Sequence, residues 1–155
     1  MARANILIVE DIPSKQVAIE SALASVESNS HAVRSITDAF RLVGEQRWDL
    51  IILDMTFQVD RSAGFESGRQ ATAGIELLQF MARRRLRTPV IVATQHISFS
   101  SPEIGEIDGI AALDELLTEA FPHIYRGTVK VDQSEGSWKL ELLNAAKAIL
   151  ESETE

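Results

Sequence analysis

The chain has 155 residues, of which 45% are hydrophobic and 25% charged, with a formal net charge of -8 and no cysteine. That length and balance fit one globular domain able to bury a sizeable core unaided. They argue against non-specific binding to nucleic acid or anionic membrane, which needs basic surface, and exclude a disulfide framework, a thiol nucleophile or a cysteine-based zinc site.

Ala4 to Val9 reads as a first buried strand, a short apolar run that ends in Glu10-Asp11. Pro13 suits the first turn of a helix that Asp11 or Ser14 can cap, and Ile19, Leu23 and Val26 recur at helical spacing to about Val26. His31 to Ile36 is a weaker strand. Thr37 or Asp38 then caps a helix carrying Ala39, Leu42 and Val43 and ending near Gly44. Leu50 to Leu53 is a continuous apolar run that delivers Asp54, with Trp48 just before it as a packing residue. Such runs read as strands buried on both faces, as in parallel α/β sheets.

Residues 55–73 are rich in Gly, Ser and Thr, have no sustained period and read as an expanded loop. Gly74 opens a helix with Ile75, Leu78 and Met81 on one face. Pro89 to Thr94 is another apolar strand, and a polar loop spans Gln95 to Glu103. A helix with Ile110, Leu113, Leu116 and Leu117 runs to about Ala120, where Pro122 stops it. Tyr125 to Val131 is the fifth strand and contains Lys130. Ser137 caps a last helix carrying Trp138, Leu142, Ala145 and Ile149, and the acidic tail 151–155 is expected to fray. The basic cluster Arg83-Arg84-Arg85 with Arg87 complements a helix end.

Five strands alternating with five helices imply a single (βα)5 domain over 1–155, a doubly wound, flavodoxin-like parallel sheet covered on both faces. In such sheets ligands bind outside the carboxyl ends of the strands. Glu10, Asp11, Asp54, Thr94 and Lys130 all fall at those ends. Singly, Asp54 reads as well as a strand terminator, and Lys130 as the neutraliser of a surface carboxylate. Together they suit a hard divalent cation, Mg²⁺, beside a carboxylate nucleophile, with a lysine and a hydroxyl for phosphoryl oxygens.

The segments Ile-Leu-Ile-Val-Glu10-Asp11, Trp-Asp-Leu-Ile-Ile-Leu-Asp54-Met, Gly74-Ile-Glu-Leu-Leu and Pro89-Val-Ile-Val-Ala-Thr94 resemble the receiver domain of two-component response regulators. The resemblance covers essentially the whole chain. It implies that Asp54 accepts a phosphoryl group from a histidine kinase or phosphotransfer protein. It further implies Mg²⁺ on Asp11, Asp54 and the backbone carbonyl of Thr56, with Glu10 acting through water. Lys130 would pair with the phosphoryl group, and Thr94 would follow it on activation. Signalling would then run through phosphorylation-dependent binding of a downstream protein, without direct contact to nucleic acid and without membrane insertion. Homodimerisation stays open.

The chain departs from the family pattern at several points. The loop between Asp54 and Gly74 is more than twice the usual length, and Val131 replaces the proline that follows the lysine. Gly127 stands at the usual position of the switch aromatic, with Tyr125 nearby, and Gln95-His96 follows Thr94. An alternative reading is therefore a receiver-like scaffold or adaptor that does not use phosphorylation, with 55–73 or the loop aromatics Phe57, Phe65 and Phe99 as a contact patch. An aspartate-nucleophile phosphatase ranks below both, because the position two after Asp54 holds Thr56 instead of a second acid. His31, His96 and His123 are scattered and suggest no metal site. No apolar stretch is long enough to span a membrane, a strand-like run begins within a few residues of the start, and one helix accounts for most of the residues after the fifth strand. A cytoplasmic chain with no signal peptide and no output domain is expected.

Overall fold

In the computed structural model, residues 3–55, 57–58, 69–70, 72–95, 98–101, 105–132 and 134–153 are described. Five strands form one parallel sheet: β1 (Ala4–Val9), β2 (Ser28–Val33), β3 (Leu50–Leu53), β6 (Val90–Thr94) and β9 (Tyr125–Lys130). Their spatial order is β2-β1-β3-β6-β9. The helices between them are α1 (Pro13–Ala22), α2 (Ile36–Glu45), α3 (Thr72–Arg83), α4 (Ile110–Ala120) and α5 (Ser137–Glu153). The expected doubly wound architecture is therefore present.

Period-two alternation along the strands divides the core into two layers. Leu7, Val9, Ile51, Leu53, Val90 and Val92 face a cluster with Ala39 and Val43 of α2, Ile75, Leu78 and Met81 of α3, and Leu113 and Leu117 of α4. Ile6, Ile8, Leu50, Ile52, Ile91 and Ala93 face the opposite layer, with Ile19 and Ala22 of α1 and Trp138, Leu142 and Ala146 of α5. Both faces of β3 are buried, which is why its sequence is a continuous apolar run.

Several boundaries differ from the sequence expectation. The second strand lies at 28–33 instead of 31–36: it is an edge strand whose exposed residues carry no apolar run, and its position is set by pairing with β1, Ala4 opposite Ser28 and Val9 opposite Val33. Ser35, not Thr37 or Asp38, caps α2, its Oγ accepting the Asp38 N–H at 3.1 Å. At α5, Ser137 is already helical and donates its N–H to the Glu135 carboxylate, so the cap is the glutamate. The first helix ends at Ala22, and Leu23 to Val26 form a turn whose Leu23 remains buried.

The two stretches expected as loops contain paired backbone. In 55–73, β4 (Phe57–Gln58) pairs antiparallel with β5 (Arg69–Gln70). After β6, β7 (Ser98–Ser101) pairs antiparallel with β8 (Gly105–Asp108). These segments lack the apolar alternation that marks a half-buried strand. Both insertions leave from the carboxyl ends of central strands, the edge that bears the acidic residues.

Candidate functional site

The chain runs from β1 to β2 on one side and to β3 on the other, so the order reverses at β1. In open α/β sheets ligands bind at such a switch point, which here lies at the carboxyl ends of β1 and β3. Val9 pairs with Leu53, and the Asp54 N–H donates to the Val9 carbonyl at 3.0 Å. Glu10 and Asp54 are thereby held side by side, one residue beyond their strands. Both continue the alternation that points toward α1 and α5.

One carboxylate oxygen from each of Glu10, Asp11 and Asp54 can be chosen so that all lie within 4.8 Å of one another. Glu10 and Asp54 are buried and Asp11 is half-buried. Hard oxygen donors at this spacing are the set a divalent cation such as Mg²⁺ takes, so the residues present fit that group. Gly74 lets α3 reach this edge: a Cβ there would stand 2.9 Å from the Met55 Cα and 3.2 Å from its carbonyl oxygen, closer than side-chain atoms pack.

The positive charge in the site belongs to a residue that the sequence motifs do not mark. Lys15, on the first turn of α1, directs its Nζ 2.9 Å from Glu10 Oε2 and 3.4 Å from Asp54 Oδ1. Its side chain is 1% exposed. The inward stripe of α1 is Lys15, Ile19 and Ala22. A lysine four residues before Ile19 on the buried face, just after a Glu-Asp pair, is the sequence signal that would have found it.

Glu10 is tied twice, its Oε1 accepting the Ile12 N–H at 3.0 Å at the start of α1. Its Oε2 meets the Lys15 ammonium as an ion pair at 2.9 Å. Burial, together with the Asp54 charge, pushes the Glu10 carboxyl from 4.5 up to about 7, against the opposing pull of Lys15.

Thr94 is fully buried at the end of β6 and stands opposite Lys130 in the β6–β9 register. Lys130 itself is exposed, and the described ion pairs of the acidic cluster come from Lys15. The reason lies in β9. Val90 pairs with Tyr125 but Val92 pairs with Thr128, so an extra residue bulges out where Gly127 takes φ +129°. Beyond the bulge Val129 and Val131 turn toward the α1/α5 layer, and Lys130 lies on the other side of the sheet. Tyr125 is buried at the start of β9, and its hydroxyl contacts Asp114 at 2.9 Å and Thr128 at 2.6 Å. Thr56 and His96 lie outside the described residues, as does Phe65; the side chains of Phe57 and Phe99 are likewise outside them.

Strand order 2-1-3-6-9 is that of a doubly wound, flavodoxin-like (βα)5 fold, here with three carboxylates at the switch point. Solved response regulator receiver domains share this fold. One is the CheY-like receiver domain protein from Methanospirillum hungatei JF-1, with a TM-score of 0.62 and 16% identity, covering 99% of this chain and 98% of that one.

Among curated proteins, the chain is 25% identical over 145 residues to the uncharacterized protein y4jR of Sinorhizobium fredii (strain NBRC 101917 / NGR234), covering 90% of this chain and 94% of that protein. It is also 25% identical over 144 residues to the Detocs response regulatory protein DtcB of Enterobacter cloacae (strain JD6301), covering 89% of this chain and 95% of that protein. No family model matches. No helix among the described residues is long and apolar enough to cross a membrane.

Proposed function

We propose that this chain is a phosphoacceptor receiver that takes a phosphoryl group on Asp54 and signals through protein–protein binding. The observation that carries the reading is the placement of Asp54 beside Glu10 and Asp11 at the switch point, with carboxylate oxygens within 4.8 Å. An Asp54 carboxylate oxygen attacks phosphorus, and the bond from phosphorus to the donor imidazole of a histidine kinase or phosphotransfer protein breaks. The product is an acyl phosphate. Attack by water then releases inorganic phosphate and restores Asp54, so turnover is self-catalysed and the protein is not otherwise an enzyme.

Asp11 and Asp54 would hold Mg²⁺, with Glu10 acting through water and the Thr56 carbonyl as a further ligand. The cation supplies charge neutralisation between carboxylate and phosphoryl oxygens. Buried Thr94 would offer a hydroxyl to the phosphoryl group, and Lys130, its exposed register partner at the same strand ends, would have to reach that group around the sheet edge along its flexible stem. A relative named as a response regulatory protein supports a signalling role, which we place in the cytoplasm.

The test is intact mass after incubation with Mg²⁺ and acetyl phosphate, beside Asp54→Asn. A phosphate-sized adduct on the wild type alone, lost with EDTA, is expected. Buried Lys15, already paired with Glu10 and Asp54, favours a second reading, a receiver-like scaffold that works without phosphorylation. No adduct together with no binding of beryllofluoride by NMR would assign the chain to that class.

A further inference from the structure

We propose that Lys15 is a tethered counter-ion that holds the divalent cation's place at Glu10 and Asp54 and is displaced when that cation binds. The inference rests on the phosphoacceptor reading for the identity of the cation.

Lys15 differs from the other basic groups whose ion pairs are described. Arg41 meets Asp38 at 3.5 Å and Glu45 at 3.4 Å, but these side chains are more than half exposed. Such pairs contribute little. The Lys15 side chain is buried with its partners, where a charge persists only if compensated. Two carboxylates and one ammonium provide that compensation without a metal.

The geometry makes the two cations rivals. The Lys15 Nζ lies within 3.4 Å of an oxygen from each of Glu10 and Asp54. Those residues, with Asp11, are the three whose oxygens form the candidate cation cluster. A dication drawn to the same oxygens meets a like charge in surroundings that screen it poorly. The four-carbon stem of lysine lets the ammonium withdraw while α1 stays seated through Ile19 and Ala22. The ammonium is also covalently attached, so its effective concentration at the carboxylates is high. Lys15 would therefore set how much Mg²⁺ the site needs, and metal binding would carry a movement of the Lys15 side chain.

The experiment is a Mg²⁺ titration of the full chain as wild type, Lys15→Met and Lys147→Met, followed by calorimetry and by amide NMR of residues 9–12 and 54–55. Lys15→Met should bind Mg²⁺ about tenfold more tightly than wild type, within the usual range of a coupling between two ligands, and Lys147→Met, an exposed lysine of α5, should match wild type. Equal or weaker binding by Lys15→Met overturns the inference and leaves the phosphoacceptor reading standing. Absence of Mg²⁺ binding in every form overturns both.

If Lys15→Met does not fold without metal, ¹⁵N spectra of the wild-type lysine ammonium groups decide. The Lys15 signal should be protected from solvent exchange and should shift or lose that protection as Mg²⁺ saturates. An unmoved Lys15 signal during saturable binding would sink the proposal.

Discussion

Replacing Glu10 with Gln should flatten the pH dependence of folding in metal-free buffer. The Glu10 carboxyl is buried beside Asp54, and its pKa rises from 4.5 to about 7 on folding. A raised acid pKa means that the native state holds the proton more tightly than the unfolded chain. Its contribution to stability is complete below pH 4.5 and is lost as pH rises through about 7. The rise corresponds to about 3 kcal/mol. Asp132 and Glu135 do not disturb this window, because hydrogen bonds from Ser134 and Ser137 hold their carboxyls below the ordinary range; their contributions fade only as pH drops further.

Urea unfolding in EDTA, from about pH 5 to pH 8, would read the effect through the midpoint and slope. Wild type should lose roughly 3 kcal/mol more than Glu10→Gln across that range. Saturating Mg²⁺ should restore more stability at the alkaline end, where Glu10 is ionised. Identical slopes for the two proteins, or a wild type that gains stability as pH rises, would refute the reasoning.

Lys15→Met in EDTA near neutral pH should cost about 3 kcal/mol or more, since it leaves buried carboxylates without their cation. Adding Glu10→Gln should return part of that loss, and strictly additive losses in a double-mutant cycle would contradict the ion pair. Gly74→Ala should cost about 1–3 kcal/mol by thrusting a methyl at the Met55 backbone, with a lower thermal midpoint as readout. Tyr125→Phe removes the hydroxyl that meets Asp114 and Thr128 and should cost about 1 kcal/mol. Its uptake of phosphate from acetyl phosphate should equal that of wild type, because Tyr125 begins β9 at the end of the sheet away from Asp54.

Much of the fold is written in local patterns. Ala4 to Val9, Leu50 to Leu53 and Val90 to Thr94 are apolar runs because both faces of the central strands are covered, and that burial can be read without knowing the partners. The acids Glu10, Asp11 and Asp54 were legible for the same reason, as polar residues that immediately end such runs. The edge strand at 28–33 and the pairs β4–β5 and β7–β8 were not, because backbone pairing between polar segments leaves no hydrophobic period behind.

Local apolar runs and the acids that end them are enough to specify a parallel α/β domain with three carboxylates at one edge. Which cation meets those carboxylates follows from packing. Lys130 looked suitable from its place at the end of the fifth strand, but the extra residue near Gly127 turns the strand and leaves Lys130 exposed beside Thr94. The sequence motifs do not mark Lys15, and it is the packing of α1 against the face shared by Ile6, Ile8, Leu50 and Ile52 that carries its ammonium to Glu10 and Asp54. The face on which a side chain emerges depends on register and on which helix covers which side of the sheet. Those are relations between segments distant in sequence; the local pattern places Lys15 on the inward stripe of α1 but does not say what that stripe meets.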